Sequence, residues 1–173
     1  VSRKQEKQVF AEILSQIDLK IGPGKVVEYD NNFYFHNGLT DEEKDIASTT
    51  IKGLVFNIDG VRMALSPQEI MALPNSREHT KLKNMIHPIK SPDIYVILKE
   101  NWLWRSTPGT SHGSHYSYDS HIPLIFSKNG IESNRRDESV YSVDLAPTIA
   151  KYLGVKYPSS IDGRALKLKF DNN

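Results

Sequence analysis

The residues best suited to chemistry lie in a polar loop at positions 106–123, which is rich in Gly, Ser, His and Tyr. Gly109 and Gly113 flank His112, and glycines on both sides of a histidine let the backbone turn sharply and bring the imidazole close to a ligand. Neutral imidazole is the commonest metal-binding side chain, and an outer acceptor usually holds its second nitrogen. His112 is therefore a candidate metal ligand, although a single loop histidine is more often a surface residue.

Three other polar residues of the loop each allow two interpretations. His115 and His121 are candidates for supporting a metal-bound residue or for facing a substrate, and Asp119 is a candidate for anchoring the loop or orienting a metal-bound histidine. The less specific alternatives are a turn-capping role for Asp119 and a structural hydrogen bond for His121. For His115, solvent exposure is favoured over a role in the site.

The elements that must position this loop are two short, continuous apolar runs at 93–98 and 121–126. Such runs are typical of strands buried on both faces of a large sheet. A polar loop at the end of a buried strand is where α/β proteins build active sites. The sequence therefore predicts an α/β arrangement around the loop, with Tyr116 to Pro123 forming the entry into the second strand.

Residues 1–90 have a different character and predict a small α+β module of order α-β-β-α-β-α. The supporting patterns are a helical stripe at 4–19, a hairpin at 26–35, a capping box at Thr40 and Glu43 that opens a helix to about Val55, a strand at 61–65, and short helices from Pro67 and Arg77. The prolines near residue 90 predict a connection, so the second part is 91–173. Within it, a helix is expected at 141–153, with Asp144 as N-cap and Gly154 just beyond its end.

The composition excludes several classes of site and partner. The chain has 22 basic and 21 acidic residues, which argues against a nucleic-acid binder because such proteins show a clustered basic excess. It has no cysteine, so a metal site would depend on His, Asp, Glu or hydroxyl ligands. No apolar run is long enough for a membrane span.

The order and spacing of several motifs resemble the alkaline phosphatase superfamily, in the branch of PafA-like alkaline phosphatases and type I phosphodiesterases/nucleotide pyrophosphatases. The resemblance covers about 80 residues. It is carried by the strand at 92–98, G-T-x-H-G at 109–113, Y-x-Y-D-x-H-I-P at 116–123, D-x-x-P-T at 144–148, and D-G-x-x-L at 162–166.

The resemblance implies a two-metal, usually zinc, enzyme in which a Thr or Ser attacks phosphorus. His112 matches the last metal ligand in chain order. The nucleophile and the other ligands would precede this chain, and no Asp-His dipeptide occurs in it. The chain is therefore interpreted as the C-terminal part of an alkaline-phosphatase-like α/β sandwich, with 1–90 as an inserted capping module. Since zinc sites need three or four ligands, the isolated chain is expected to bind no zinc tightly and to be inactive.

Two alternatives remain from the sequence. One is a sulfatase or phosphonate hydrolase of the same superfamily, and the other is a non-catalytic α+β binding or assembly domain. The resemblance implies small-molecule phosphate esters as substrates of the parent enzyme and a periplasmic or secreted location. Strands that lack their neighbours have open edges, so the chain is also expected to self-associate.

Overall fold

The computed structural model describes residues 2–104, 107, 109–130 and 132–168. The elements in chain order are α1 Arg3–Ile21, β1 Val26–Tyr29, β2 Asn32–Phe35, α2 Asp41–Leu54, a 3-10 turn Val55–Asn57, β3 Val61–Leu65, α3 Pro67–Ala72, α4 Arg77–Asn84, β4 Tyr95–Leu98, α5 Ser117–Ser120, a 3-10 turn Ser142–Asp144, and α6 Leu145–Tyr152. The chain divides into two compact units, Val1–His121 and Ile122–Asn173. Among the described residues no helix is both long and apolar enough to cross a membrane.

The core of the first unit is built by one face of α1 against α2 and the hairpin. Ile13 and Ile17 of α1 are fully buried, as is Ile51 of α2. Phe10 meets Phe33 edge to face, with 5.3 Å between ring centroids. The helical stripe predicted at 4–19 is confirmed, because apolar residues three and four positions apart fall on the side that faces this core.

Local sequence signals fix the ends of several elements in this unit. Thr40 and Glu43 form the predicted capping box of α2, in which each side chain accepts from the other residue's backbone N–H. Between β1 and β2, Asp30 and Asn31 both have positive φ angles, of 49° and 62°. Two consecutive left-handed residues match the tight turn that suits the twist of a hairpin, so the strands pair in register from Val26–Phe35 to Tyr29–Asn32.

A second antiparallel pair, β3 with β4, completes the first unit. All four residues of β4 are buried, as predicted for this run. An isolated bridge between Phe33 and Ile94 joins β2 to the start of this pair. Lys99, directly after β4, donates its N–H to the carbonyl of Gly60 at 2.7 Å. The chain that leaves β4 towards the His112 loop is thereby tied to the turn before β3.

The second unit is organised around α6 and a set of hydrogen bonds that join this helix region to the closing segment of the chain. The side chain of Asp144 accepts from the N–H of Arg164 at 2.9 Å and from that of Tyr141 at 3.0 Å. The hydroxyl of Thr148 accepts from the N–H of Leu166 at 2.9 Å. The D-x-x-P-T and D-G-x-x-L motifs are therefore parts of one hydrogen-bonded structure. Asp144 caps the 3-10 turn and the closing segment, whereas it makes no side-chain cap bond to α6 itself.

Two predicted features around the loop are wrong. Residues 121–126 form no strand, and Ile122 and Ile125 are 67% and 79% exposed. A strand needs neighbours for its backbone hydrogen bonds and cover for its side chains, and the described residues supply neither here. The expected strand entry from Tyr116 to Pro123 is also wrong, because Ser117–Ser120 form the short helix α5.

Candidate functional site

The loop that bears His112 is exposed and has no regular secondary structure on either side of the histidine. Gly113 has a φ of 105°, in the left-handed region that favours glycine, and no atom lies within 4 Å of a Cβ built there. The sharp turn predicted after His112 is therefore present. It leaves the imidazole at the surface of the first unit, accessible to a ligand.

Asp119 holds the short segment that follows His112. Its Oδ2 accepts from the backbone N–H of Ser114 at 2.5 Å. This N–H lowers the pKa of the Asp119 carboxyl, burial opposes the shift, and the nearby His112 adds a smaller electrostatic lowering. The predicted turn-capping role is present in the geometry. Because the carboxylate also lies within electrostatic reach of His112, its proposed role in orienting a metal-bound histidine stays a prediction.

His121 directly follows α5, and its backbone N–H donates to the carbonyl of Ser117 at 2.9 Å. The side chain is exposed. The structural hydrogen bond that the sequence favours for this side chain stays a prediction. Its proposed role near a metal also stays a prediction.

Among the described residues, other metal-ligating side chains do not converge on His112. In the part of the chain that the structure describes, no group of three or more His, Asp or Glu residues could hold a metal ion. A single imidazole falls short of the three or four ligands that a zinc site requires. The described residues therefore fit one ligand of a metal centre and not a complete centre.

His115 is buried, and the predicted solvent exposure is wrong. Its side chain is 5% exposed, and its Nε2 lies 3.1 Å from Oε1 of Glu78 on α4. The same oxygen accepts from Arg62 of β3 at 2.6 Å. Glu78 is 37 positions earlier in the chain, so no local pattern around His115 could have indicated this partner.

The electrostatics of this network follow from burial and pairing. Burial lowers the pKa of His115, and the hydrogen bond to Glu78 only partly opposes that shift. Burial acts to raise the pKa of Glu78, but the hydrogen bonds from Arg62 and His115 outweigh it and bring the pKa below its ordinary value. At neutral pH the network therefore holds a neutral imidazole that donates to an ionised carboxylate.

Tyr116 anchors the loop next to this network. Its hydroxyl donates to the carbonyl of Leu98 at the end of β4 at 2.7 Å and accepts from Arg62 at 3.1 Å. Its ring stacks on Tyr118, with 5.9 Å between centroids. Because Tyr116 is buried and both hydrogen-bonding functions of its hydroxyl are used, it acts in packing.

Comparison with known proteins gives matches to alkaline phosphatases. Over 122 residues the chain is 34% identical to alkaline phosphatase PhoV of Synechococcus elongatus, covering 70% of this chain and 22% of that protein. Over 78 residues it is 37% identical to alkaline phosphatase PafA of Elizabethkingia meningoseptica, covering 44% of this chain and 14% of that protein. No family model matches the sequence.

Comparison with solved structures also gives a match to an alkaline phosphatase. The crystal structure of alkaline phosphatase PafA superposes with a TM-score of 0.74 and 25% identity, over 92% of this chain and 32% of that one. The predicted fold class, part of an alkaline-phosphatase-like α/β fold, is thereby confirmed. The chain spans about a quarter of the length of the relatives it matches. The predicted boundary near residue 90 stays a prediction.

Proposed function

The chain belongs to the alkaline phosphatase superfamily over the part of those enzymes that it spans, and on this premise we propose that it is the C-terminal segment of a metal-dependent phosphoric ester hydrolase. The single observation that supports a site role is the exposed imidazole of His112 on its glycine-flanked loop. The short turn fixed by Asp119 and Ser114 holds the backbone just after it. In this proposal His112 supplies the last metal ligand, and the remaining ligands and the nucleophile come from the rest of the enzyme.

Zinc is the proposed metal of the complete enzyme, and small phosphate esters are the proposed substrates. An imidazole is a suitable zinc ligand, and a bound zinc ion would polarise the phosphoryl oxygens and the attacking group. The chain's own contribution is limited to presenting His112 in a fixed place. The proposed periplasmic or secreted location follows from the same relationship.

A chimera with PafA tests the role of His112. The segment of PafA that superposes on this chain is replaced by residues 1–173, and turnover of p-nitrophenyl phosphate and bound zinc are measured. We expect an active, zinc-loaded chimera, and we expect His112→Ala to lower turnover by more than about 100-fold. Even the outer partners of metal ligands typically contribute 10–100-fold, and a direct ligand contributes more.

His36→Ala is the matched control, because His36 is also an exposed histidine of the first unit. It should leave turnover and zinc content unchanged. If His112→Ala keeps full zinc content and turnover in an active chimera, the ligand role is refuted. In parallel, the purified 173-residue chain should show no turnover of p-nitrophenyl phosphate above buffer in the presence of zinc. Turnover by this chain alone would refute the proposal that the remaining metal ligands and the nucleophile come from the rest of the enzyme.

The surface of the second unit also supports the proposal that this chain is one segment of a larger core. Leu153 is 65% exposed, and Ile122 and Ile125 are more than half exposed as well. Large apolar side chains left exposed on one unit are expected where another part of a larger protein covers them. In the isolated chain we propose that self-association covers part of this surface. Sedimentation velocity over a concentration series should show a rising average mass, and a constant monomer mass would contradict this.

A further inference from the structure

A cationic cavity lies in the first unit and has no part in the role proposed for His112. Its volume is about 640 Å³, and its charged lining consists of Arg62, Arg77, Lys81, Lys99, Glu78 and Glu100. Four cationic side chains therefore face two carboxylates. All six groups come from three segments that are separated in sequence, namely β3, α4 and the segment just after β4.

Part of this charge is already neutralised. The Glu78 carboxylate is used by Arg62, at 2.6 Å, and by the buried His115, at 3.1 Å. Lys81 donates to the hydroxyl of Ser120 and, at 3.1 Å, to the carbonyl of His115. These bonds fix the cavity wall in place. They also leave Lys81 without a carboxylate partner among the described residues.

The remaining cations are Arg77 and Lys99. Neither forms an ion pair with a described carboxylate, and both side chains are exposed at the cavity. Arg77 lies one helical turn before Lys81 on α4, so the two side chains project from the same face of that helix. Lys99 is fixed at the backbone by its bond to Gly60, at 2.7 Å. Three cations thus line one concave space without an ion pair to a described carboxylate, and Glu100 is the lining carboxylate that itself forms no ion pair with a described residue.

We propose that this cavity binds a multiply charged oxyanion of the phosphate class. Arginine presents a planar set of donors that matches two phosphate oxygens, and the lysines add point charges from other directions. The buried His115 and Tyr116 line the cavity beside these groups and make its wall rigid. The site requires no metal ion and does not use the His112 imidazole.

Calorimetric titration of the 173-residue chain with inorganic phosphate, at constant ionic strength and neutral pH, tests this proposal. We expect one saturable site. Arg77→Gln and Lys99→Gln should each weaken binding by about tenfold, the loss typical of one charged hydrogen bond. Glu100→Gln should strengthen binding, because it removes a carboxylate that repels the anion from the cavity rim. A purely structural role for these residues would not produce a gain.

Lys44→Gln is the matched control, since Lys44 is an exposed lysine of the same unit that pairs with Asp41. It should leave the affinity unchanged. A parallel titration with glycerol phosphate distinguishes a site for the free anion from a site for a phosphate ester, according to which binds more tightly. Absence of saturable binding by both probes, or an equal loss with Lys44→Gln, would overturn the proposal.

Discussion

Asp144→Asn removes the charge that links the 3-10 turn Ser142–Asp144 to the closing segment at Arg164. In the native chain the carboxylate is buried and accepts from the N–H groups of Arg164, at 2.9 Å, and Tyr141, at 3.0 Å. The asparagine side chain has almost the same shape but only one acceptor oxygen. It can keep one of these bonds in a weaker, neutral form. Its NH₂ group then faces the other backbone N–H, which loses its partner.

The expected cost follows from these two changes. A hydrogen bond to a charged group contributes about 1.5–3 kcal/mol, against about 0.5–1.5 kcal/mol for a neutral one, and a buried N–H left without a partner costs about 1–3 kcal/mol. Together they give a loss of about 2–4 kcal/mol. Since 1.36 kcal/mol corresponds to a factor of ten, hydrogen exchange at the Arg164 amide should accelerate by about 30- to 1000-fold.

Amide hydrogen exchange followed by NMR is the assay, because it reports the opening of the second unit at single residues. Asp137→Asn is the matched control, as Asp137 is exposed in the same unit and pairs with Arg135, at 3.0 Å. The control should leave exchange at Arg164 within about twofold of the native rate. Unchanged protection of the Arg164 amide in Asp144→Asn would refute the reasoning.

The same carboxylate predicts the direction of a pH effect. The N–H groups of Arg164 and then Tyr141 lower the pKa of Asp144, and this outweighs its burial. A lowered folded-state pKa means that the stabilisation is fully present above the ordinary aspartate value. It is lost as the pH falls through the lower, folded-state value. Protection of the Arg164 amide should therefore weaken only in acid, and Asp144→Asn should remove that dependence.

Two further predictions concern glycines. In Gly60→Ala the new Cβ would lie 2.1 Å from the ring of Trp102 at a φ of 90°, so the free energy of unfolding measured in urea should fall by about 2–4 kcal/mol, the sum of left-handed strain and overpacking. Gly24→Ala is the control, with a φ of 73° and no atom within 4 Å of the new Cβ, and it should lose only about 1–2 kcal/mol. Equal losses in the two variants would exclude the clash with Trp102. Gly53→Ala, in α2 with open space around its Cβ, should raise the free energy of unfolding by up to about 1 kcal/mol because alanine favours a helix, and a loss of stability in the same assay would contradict this.

Elements whose signals lie within a few residues were predictable. The capping boxes at Thr40 and Ser66 each place an acceptor three residues before a glutamate, and both are present in the structure. The hairpin turn at Asp30 and Asn31 depends on residue types that tolerate positive φ. In each case the hydrogen bonds that define the element join near neighbours in the chain, so the sequence contains nearly all the information needed.

The predictions that are wrong concern residues whose structure depends on partners distant in the sequence. The apolar run at 121–126 was predicted as a buried strand from its composition, but a strand forms only against neighbouring strands. The described residues provide none there, and the run stays irregular. The exposure that the sequence favours for His115 is likewise wrong. Its burial depends on Glu78 and Arg62, which come from two other elements of the first unit.

The sequence by itself determined the relationship of this chain to alkaline phosphatases and the identity of His112 as its candidate ligand, because motif order and glycine spacing are linear properties. Tertiary structure alone decided that Asp144 and Thr148 bind the closing segment, and that Arg77, Lys81 and Lys99 surround one cavity. The physical reason is that hydrogen bonding and charge act over a few ångströms of space. Residues that share a site can therefore lie twenty or more positions apart in the chain, where no spacing pattern connects them.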